Sequence, residues 1–246
     1  MKKISLGSWI TLNHPSIAEL MCDCGFDWLC IDLEHSVIDY YNAQLLISTI
    51  QLKGLKAYVR VGENNNLVIK RILDAGADGI IVPMVNSKQD AINAINSVKY
   101  PPTGIRGVGL ARAQGYGFNF ENYKNKKAKE IKLIVQIEHV DAINNLKEII
   151  DLDGVDGTII GPYDLSGSLG IPGDFKNKTY IDACKYVISL SKKYKKSCGT
   201  QIANVSSELI KYNFKLGFNF IVLGSDLFVL TDWANNTNKI IKRIRN

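Results

Sequence analysis

Gly154-Val155-Asp156-Gly157-Thr158-Ile159-Ile160-Gly161 is one of four stretches of this chain built on a single pattern. The others are Gly25-Phe26-Asp27-Trp28-Leu29-Cys30-Ile31-Asp32, Gly76-Ala77-Asp78-Gly79-Ile80-Ile81-Val82-Pro83 and Gly217-Phe218-Asn219-Phe220-Ile221-Val222-Leu223-Gly224. Each opens on a glycine suited to end a helix in the left-handed conformation. A polar turn residue follows, and then an apolar run that reads as a strand buried on both faces. Helical patterns lead directly into three of the copies, over Ser16 to Cys24, Leu67 to Ala75 and Ser206 to Leu216. The remaining copy follows the helical pattern Val140 to Ile150 after a short gap. Helix, turn and buried strand in repetition predict βα units around a parallel sheet.

Four more strands fill the intervals: Ile4 to Ile10, Leu55 to Val61, Leu133 to Glu138 and Ser197 to Ala203. The eight predicted strands end near Ile10, Leu33, Val61, Pro83, Glu138, Gly161, Ile202 and Gly224. Eight such units in roughly 250 residues predict an α/β fold of the (β/α)8 TIM-barrel type. A doubly wound open sheet would carry a glycine-rich phosphate loop after its first strand. Thr11-Leu12-Asn13-His14-Pro15 is not such a loop. No linker divides the chain, so one domain is expected over residues 1–246.

The chain has 246 residues, of which 46% are hydrophobic. That supports a large core, yet no apolar run approaches the roughly 18 residues of a membrane span. Met1 to Gly7 lacks the apolar stretch and cleavage site of a secretory leader, so a cytoplasmic protein is expected. The net charge of +6 owes much to Lys124-Asn125-Lys126-Lys127-Ala128-Lys129 and Lys192-Lys193-Tyr194-Lys195-Lys196. Neither run has interleaved aromatic residues or a groove-reading motif, and both read as solvated faces rather than nucleic-acid contacts. The five cysteines fit free thiols. Cys22-Asp23-Cys24 has the wrong spacing for a zinc or redox motif.

In a barrel of this kind the chemistry sits where strands end. Val135-Gln136-Ile137-Glu138 and Thr158-Ile159-Ile160-Gly161-Pro162-Tyr163-Asp164 place two carboxylates at the same edge of neighbouring strands. Such a pair repels unless a positive group lies between, and a hard divalent cation is a natural occupant. His35 directly follows a buried strand, whereas His14 and His139 read as surface residues. Arg60 stands among apolar neighbours, where its charge needs a carboxylate from protein or ligand. Asp74 sits near a helix C-terminus, which disfavours an anion and calls for a cationic or hydrogen-bonding partner. The glycine-rich segment Tyr100 to Gly109, counted after strand four, is a place where function is often inserted.

Together, Ile31-Asp32-Leu33-Glu34-His35-Ser36, Tyr58-Val59-Arg60, Val82-Pro83-Met84-Val85, Tyr100-Pro101-Pro102, Gly104-Ile105-Arg106-Gly107-Val108-Gly109, Val135-Gln136-Ile137-Glu138 and Gly161-Pro162-Tyr163-Asp164-Leu165-Ser166 resemble the HpcH/HpaI aldolase family. The resemblance implies a class II aldolase that cleaves a 4-hydroxy-2-oxo acid, such as 2,4-dihydroxyhept-2-ene-1,7-dioate, to pyruvate and an aldehyde through a metal-bound pyruvate enolate. It implies Glu138 and Asp164 as ligands of a divalent metal (Mg²⁺, Mn²⁺ or Co²⁺). It matches Arg60 to the pyruvate-binding arginine, His35 to the base and Asp74 to the carboxylate partner of that base. Gln136, Tyr163, Asp164 and Trp9 match substrate-pocket positions. Tyr163 and the stretch Gln201-Ile202-Ala203-Asn204 depart from the family pattern, which leaves the aldehyde open. No lysine stands at a predicted strand end, against a Schiff-base aldolase. The alternatives are a citrate lyase β or malyl-CoA-type lyase on the same barrel, and a binding barrel without turnover. The family also implies a homohexamer with the last helix, about Asp226 to Ile244, swapped between subunits. The other reading of that amphipathic helix is that it packs on its own barrel.

Overall fold

The structure, a computed structural model, describes residues 4–245. The parts of the leader and domain expectations that fall on Met1 to Lys3 and Asn246 lie outside the described residues. Eight parallel strands close a barrel in chain order. They are β1 (Ser5–Ile10), β2 (Trp28–Asp32), β3 (Lys56–Arg60), β4 (Gly79–Val82), β5 (Lys132–Ile137), β6 (Gly157–Ile160), β7 (Ser197–Ile202) and β8 (Phe220–Ser225). Every strand ends within one residue of its predicted end. Parallel strands require each connection to run back along the outside, and helices supply that return in the intervals. No helix among the described residues is long and apolar enough to cross a membrane.

The repeated polar turn residue has a structural task at every even strand. Asp27, Asp78, Asp156 and Asn219 each accept, through a side-chain oxygen, a backbone N–H at the start of the preceding strand. The donors are Leu6, Ala57, Leu133 and Cys198, at 2.9, 3.0, 3.0 and 2.9 Å. The backbone carbonyls of the same four residues accept from Lys56, Lys132, Ser197 and Ser5 at the start of the next strand. The pattern therefore closes the N-terminal edge of the barrel by repeating one clamp four times.

The glycines opening the copies do not all act alike. Gly25, Gly76 and Gly217 have φ of 84°, 106° and 119°, the left-handed values expected of them. Gly154 does not belong to that group. A Cβ there would come within 2.6 Å of Ile95 Cγ2, so close helix packing requires that glycine.

Two apolar layers hold the fold. The outer one lies between strands and helices. The inner one fills the N-terminal half of the barrel around Trp28, Tyr58 and Phe220. The Trp28 and Phe220 rings stack with centroids 4.2 Å apart and planes 3° from parallel. Gly7 makes room for them, since a Cβ there would meet the Trp28 ring at 2.3 Å. This plug leaves the C-terminal half of the barrel to polar side chains.

The final helix, Asp226–Arg245, meets its own barrel at its first turn and exposes most of its apolar side chains beyond it. Asp226 is its one buried residue among those described. That carboxylate tethers the helix by accepting from Thr11 N, Thr11 Oγ1 and Leu12 N at 2.6–3.0 Å. Beyond it Leu227, Leu230, Trp233, Ile240 and Ile244 are exposed, Trp233 at 67% and Ile244 at 78%.

Candidate active site

The end of β2 folds around Asp32. Its Oδ1 accepts from the backbone N–H groups of Glu34 and His35 at 3.0 and 3.3 Å, and Ser36 Oγ donates to its backbone carbonyl. These bonds turn the chain sharply and carry His35 onto the rim. Register places Asp32 beside Arg60 of β3. Arg60 donates from Nε and Nη2 to the two Asp32 oxygens at 2.9 and 2.7 Å. Its Nη1 lies 3.0 Å from Glu34 Oε2 in an ion pair, and its Cζ lies 4.5 Å from the centroid of the Trp9 ring. The carboxylate that buried Arg60 requires is thus supplied by the protein, and its fork is occupied. Burial works against the Arg60 charge, but the hydrogen bonds and charge of Asp32 outweigh it and raise its pKa. Burial pushes the Glu34 carboxyl above the usual carboxylate range; Arg60 opposes this and Glu138 adds to it.

Across the barrel, Glu138 follows β5 and is 3% exposed. Its Oε1 accepts from Met84 N at 2.7 Å, and its Oε2 from Gln136 Nε2. Gly161 at the end of β6 lets this carboxylate approach, because a Cβ there would lie 2.8 Å from Glu138 Oε2. Three residues on, Asp164 stands in the first turn of the helix Pro162–Ser168. No hydrogen bond or ion pair from the described residues reaches its carboxylate.

A cavity of about 310 Å³ opens between these groups. Trp9, Asp32, His35, Arg60, Gln136 and Asp164 are among the side chains that line it. Glu138 stands behind Gln136 and Gly161, both of which face the cavity. Tyr163 lies at the mouth, 67% exposed and edge-on to Phe175 with centroids 5.1 Å apart. His35 is exposed, with Nε2 3.7 Å from Glu34 Oε2.

Asp32 and Glu34 engage the one guanidinium that lines the cavity among the described residues, and Glu138 near Glu34 and Asp164 in the lining add two more carboxylates, a local excess of negative charge that a cation would relieve. The donor set fits a hard divalent ion: carboxylate oxygens, with Asp164 unpartnered in the cavity. Among the described residues no three His, Cys, Asp or Glu side chains converge on a metal position. Such an ion would therefore rest on Glu138, Asp164 and oxygens of a bound ligand.

Asp74 does not join this group within one chain. It lies near the end of the helix Asn66–Ala75, which runs back from the rim and carries it about 12 Å along the helix axis toward the opposite face. His35 has Glu34 as its acidic neighbour instead. The cation that the position of Asp74 calls for is Arg106, whose Nη2 donates to Asp74 Oδ1 at 2.8 Å. Arg106 is fully buried and its guanidinium stacks 4.5 Å from the Tyr100 ring. The segment Tyr100 to Gly109 is likewise not at the rim. It follows the helix Lys88–Val98 rather than β4 directly, so it belongs to the N-terminal side and clamps the end of the Asn66–Ala75 helix.

Sequence reasoning left Asp32, Glu34 and Gln201 without roles. Asp32 and Glu34 were visible beside His35, but their pairing with Arg60 depends on the register of β2 against β3. Gln201 lies in β7, where Trp9 Nε1 donates to its Oε1 at 3.1 Å. A larger cavity of about 720 Å³ opens at the other end of the barrel. Three of its four lining cations are engaged: Lys56 with Asp78, Lys132 with Asp156, and Arg112 with the Ala75 carbonyl; Lys127 is the fourth.

Comparison with known proteins gives the family. Residues 5–232 match the family model described as HpcH/HpaI aldolase/citrate lyase. The chain is 42% identical over 169 residues to a hydroxypyruvate/pyruvate aldolase of Sagittula stellata, covering 68% of this chain and 66% of that one. It is 36% identical over 235 residues to a 4-hydroxy-2-oxo-heptane-1,7-dioate aldolase of Salmonella heidelberg, covering 93% and 87%. The crystal structure of an HpcH/HpaI aldolase/citrate lyase family protein from Burkholderia cenocepacia superposes with a TM-score of 0.90 at 27% identity, over 100% of this chain and 96% of that one.

Proposed function

The chain belongs to the HpcH/HpaI aldolase/citrate lyase family, and from that membership we propose that it is a divalent-metal-dependent class II aldolase. It reversibly cleaves a 4-hydroxy-2-oxo acid to pyruvate and an aldehyde. The observation that carries this reading is the unpartnered Asp164 carboxylate in a cavity that Glu138 backs behind Gln136 and Gly161, and whose one guanidinium among the described residues is Arg60. Glu138 and Asp164 would hold Mg²⁺, Mn²⁺ or Co²⁺. A bound divalent ion supplies Lewis-acid polarisation of the 2-oxo acid.

The chain's own residues do the rest. Arg60, held by Asp32 and stacked on Trp9, presents fixed positive charge through Nη1 where the pyruvate oxygens gain negative charge. Gln136 and Tyr163 shape the pocket. His35 Nε2 takes the proton of the 4-hydroxyl, directly or through one water. The C3–C4 bond then breaks, the aldehyde carbonyl forms, and the electron pair stays on C3 as the pyruvate enolate. A proton returned to C3 completes pyruvate, and condensation is the reverse.

Asp74 is carried into this scheme by resemblance alone. Since one chain keeps it away from His35, its pairing with His35 would have to cross a subunit boundary. The exposed apolar face of Asp226–Arg245 supports such an assembly. We take the active form to be a cytoplasmic homohexamer of single-domain chains, 1–246, with that helix swapped.

Deuterium exchange into the methyl group of pyruvate, without aldehyde, tests the enolate half alone. Metal-dependent exchange is expected. Its absence, with the metal bound, would remove the basis for an aldolase.

A further inference from the structure

The cavity carries a second polar determinant. Trp9 Nε1 donates to Gln201 Oε1 at 3.1 Å. An indole nitrogen can only donate, so the amide carbonyl must face Trp9 and the amide NH2 must face elsewhere. Among the described residues that NH2 has no acceptor, and Gln201 lines the cavity. Trp9 is fixed in turn by the Arg60 guanidinium over its ring. The wall next to Gln201 is neutral: Ser225, Leu227 and Phe228. Ser225 Oγ accepts from Phe228 N at 3.2 Å, which leaves its own proton to donate.

The charge inventory points the same way. Apart from Arg60 and His35, no basic side chain among the described residues lines the cavity. Arg60 is engaged by Asp32 and Glu34. A carboxylate on the aldehyde half would enter a site already rich in carboxylates, without a free cation to meet it.

We propose that Gln201 is a specificity-determining residue: its amide NH2, oriented by Trp9, selects a short uncharged aldehyde bearing a hydroxyl over the deoxy analogue and over an aldehyde bearing a carboxylate. The proposal rests on the aldolase reading above and deepens it.

The test runs the reaction in the condensation direction, with the full chain, its metal, pyruvate and three aldehydes. These are glycolaldehyde, propanal of the same size without the hydroxyl, and succinic semialdehyde. One well-placed hydrogen bond corresponds to about a tenfold preference in kcat/KM for glycolaldehyde over propanal. Succinic semialdehyde should be poorer than glycolaldehyde. Gln201→Met keeps the length and removes the donors, and should bring the glycolaldehyde-to-propanal ratio to within about twofold of unity. Trp9→Phe removes the N–H that orients the amide and should lower the same ratio. A ratio within one sample is insensitive to partial misfolding, which scales both rates. A ratio in Gln201→Met equal to that of the unaltered protein overturns the proposal. So does an unaltered protein that favours succinic semialdehyde; in either case the aldolase reading stands. If the unaltered protein condenses pyruvate with none of the three, the aldolase reading fails and takes the proposal with it.

Discussion

Arg60 donates from Nε and Nη2 to both carboxylate oxygens of Asp32, at 2.9 and 2.7 Å, across the paired ends of β2 and β3. The pair is buried, and it leaves Nη1 beside Glu34. Removing one partner of such a pair strands the other. Asp32→Ala should therefore destabilise the fold by about 3–5 kcal/mol, read from denaturant unfolding. Arg60→Lys should restore little activity, because an ammonium cannot span both Asp32 oxygens. A stable Asp32→Ala variant with normal turnover would show that the pair is dispensable.

Glu138 and Asp164 should fail in a metal-specific way. Glu138→Gln keeps an acceptor for Met84 N and Asp164→Asn keeps the volume, so both variants should fold. Each should weaken Mn²⁺ binding by about tenfold or more, given that even outer residues of metal sites matter at that level. Titration calorimetry with Mn²⁺ reads this without any turnover. Unchanged affinity in both variants would place the metal elsewhere.

His35 and Arg60 should separate when two substrates are compared. Oxaloacetate decarboxylation passes through the same enolate but has no 4-hydroxyl proton to remove. His35→Ala should slow cleavage of a 4-hydroxy-2-oxo acid by about 10² to 10⁴ while sparing much of the decarboxylation. Arg60→Ala should damage both. Equal loss on both substrates in His35→Ala would make His35 a pocket residue rather than the base.

The final helix should mark the assembly. Its apolar residues, Trp233 and Ile244 among them, are exposed on one chain. Light scattering at micromolar concentration should give a homo-oligomer of hexameric mass. Trp233→Asp with Ile240→Asp should reduce that mass, with the barrel still folded. A monomer in the unaltered protein would contradict the swapped helix.

Most of the barrel was legible because a strand buried on both faces leaves an unbroken apolar run, and the Gly and Asp turns mark its start. Glu138 and Asp164 could be located because each follows such a run closely. Other features depend on contacts that no local pattern carries. Asp32 and Arg60 meet through strand register. Arg106, the partner of Asp74, comes from a segment with no periodicity, 32 residues further on. Gly154 looked like its three counterparts, yet packing against Ile95 rather than backbone conformation requires it. Asp74 was paired with His35 by resemblance alone; within one chain a helix running away from the rim sets it against Arg106.

Pyruvate release from a 4-hydroxy-2-oxo acid, followed with a coupled dehydrogenase, examines the proposed chemistry in one step. The protein should release pyruvate, lose that activity in excess chelator, and recover it when Mg²⁺, Mn²⁺ or Co²⁺ is returned. Full activity in excess chelator, or no pyruvate from any such acid with the metal present, would contradict a metal-dependent aldolase built on Glu138 and Asp164.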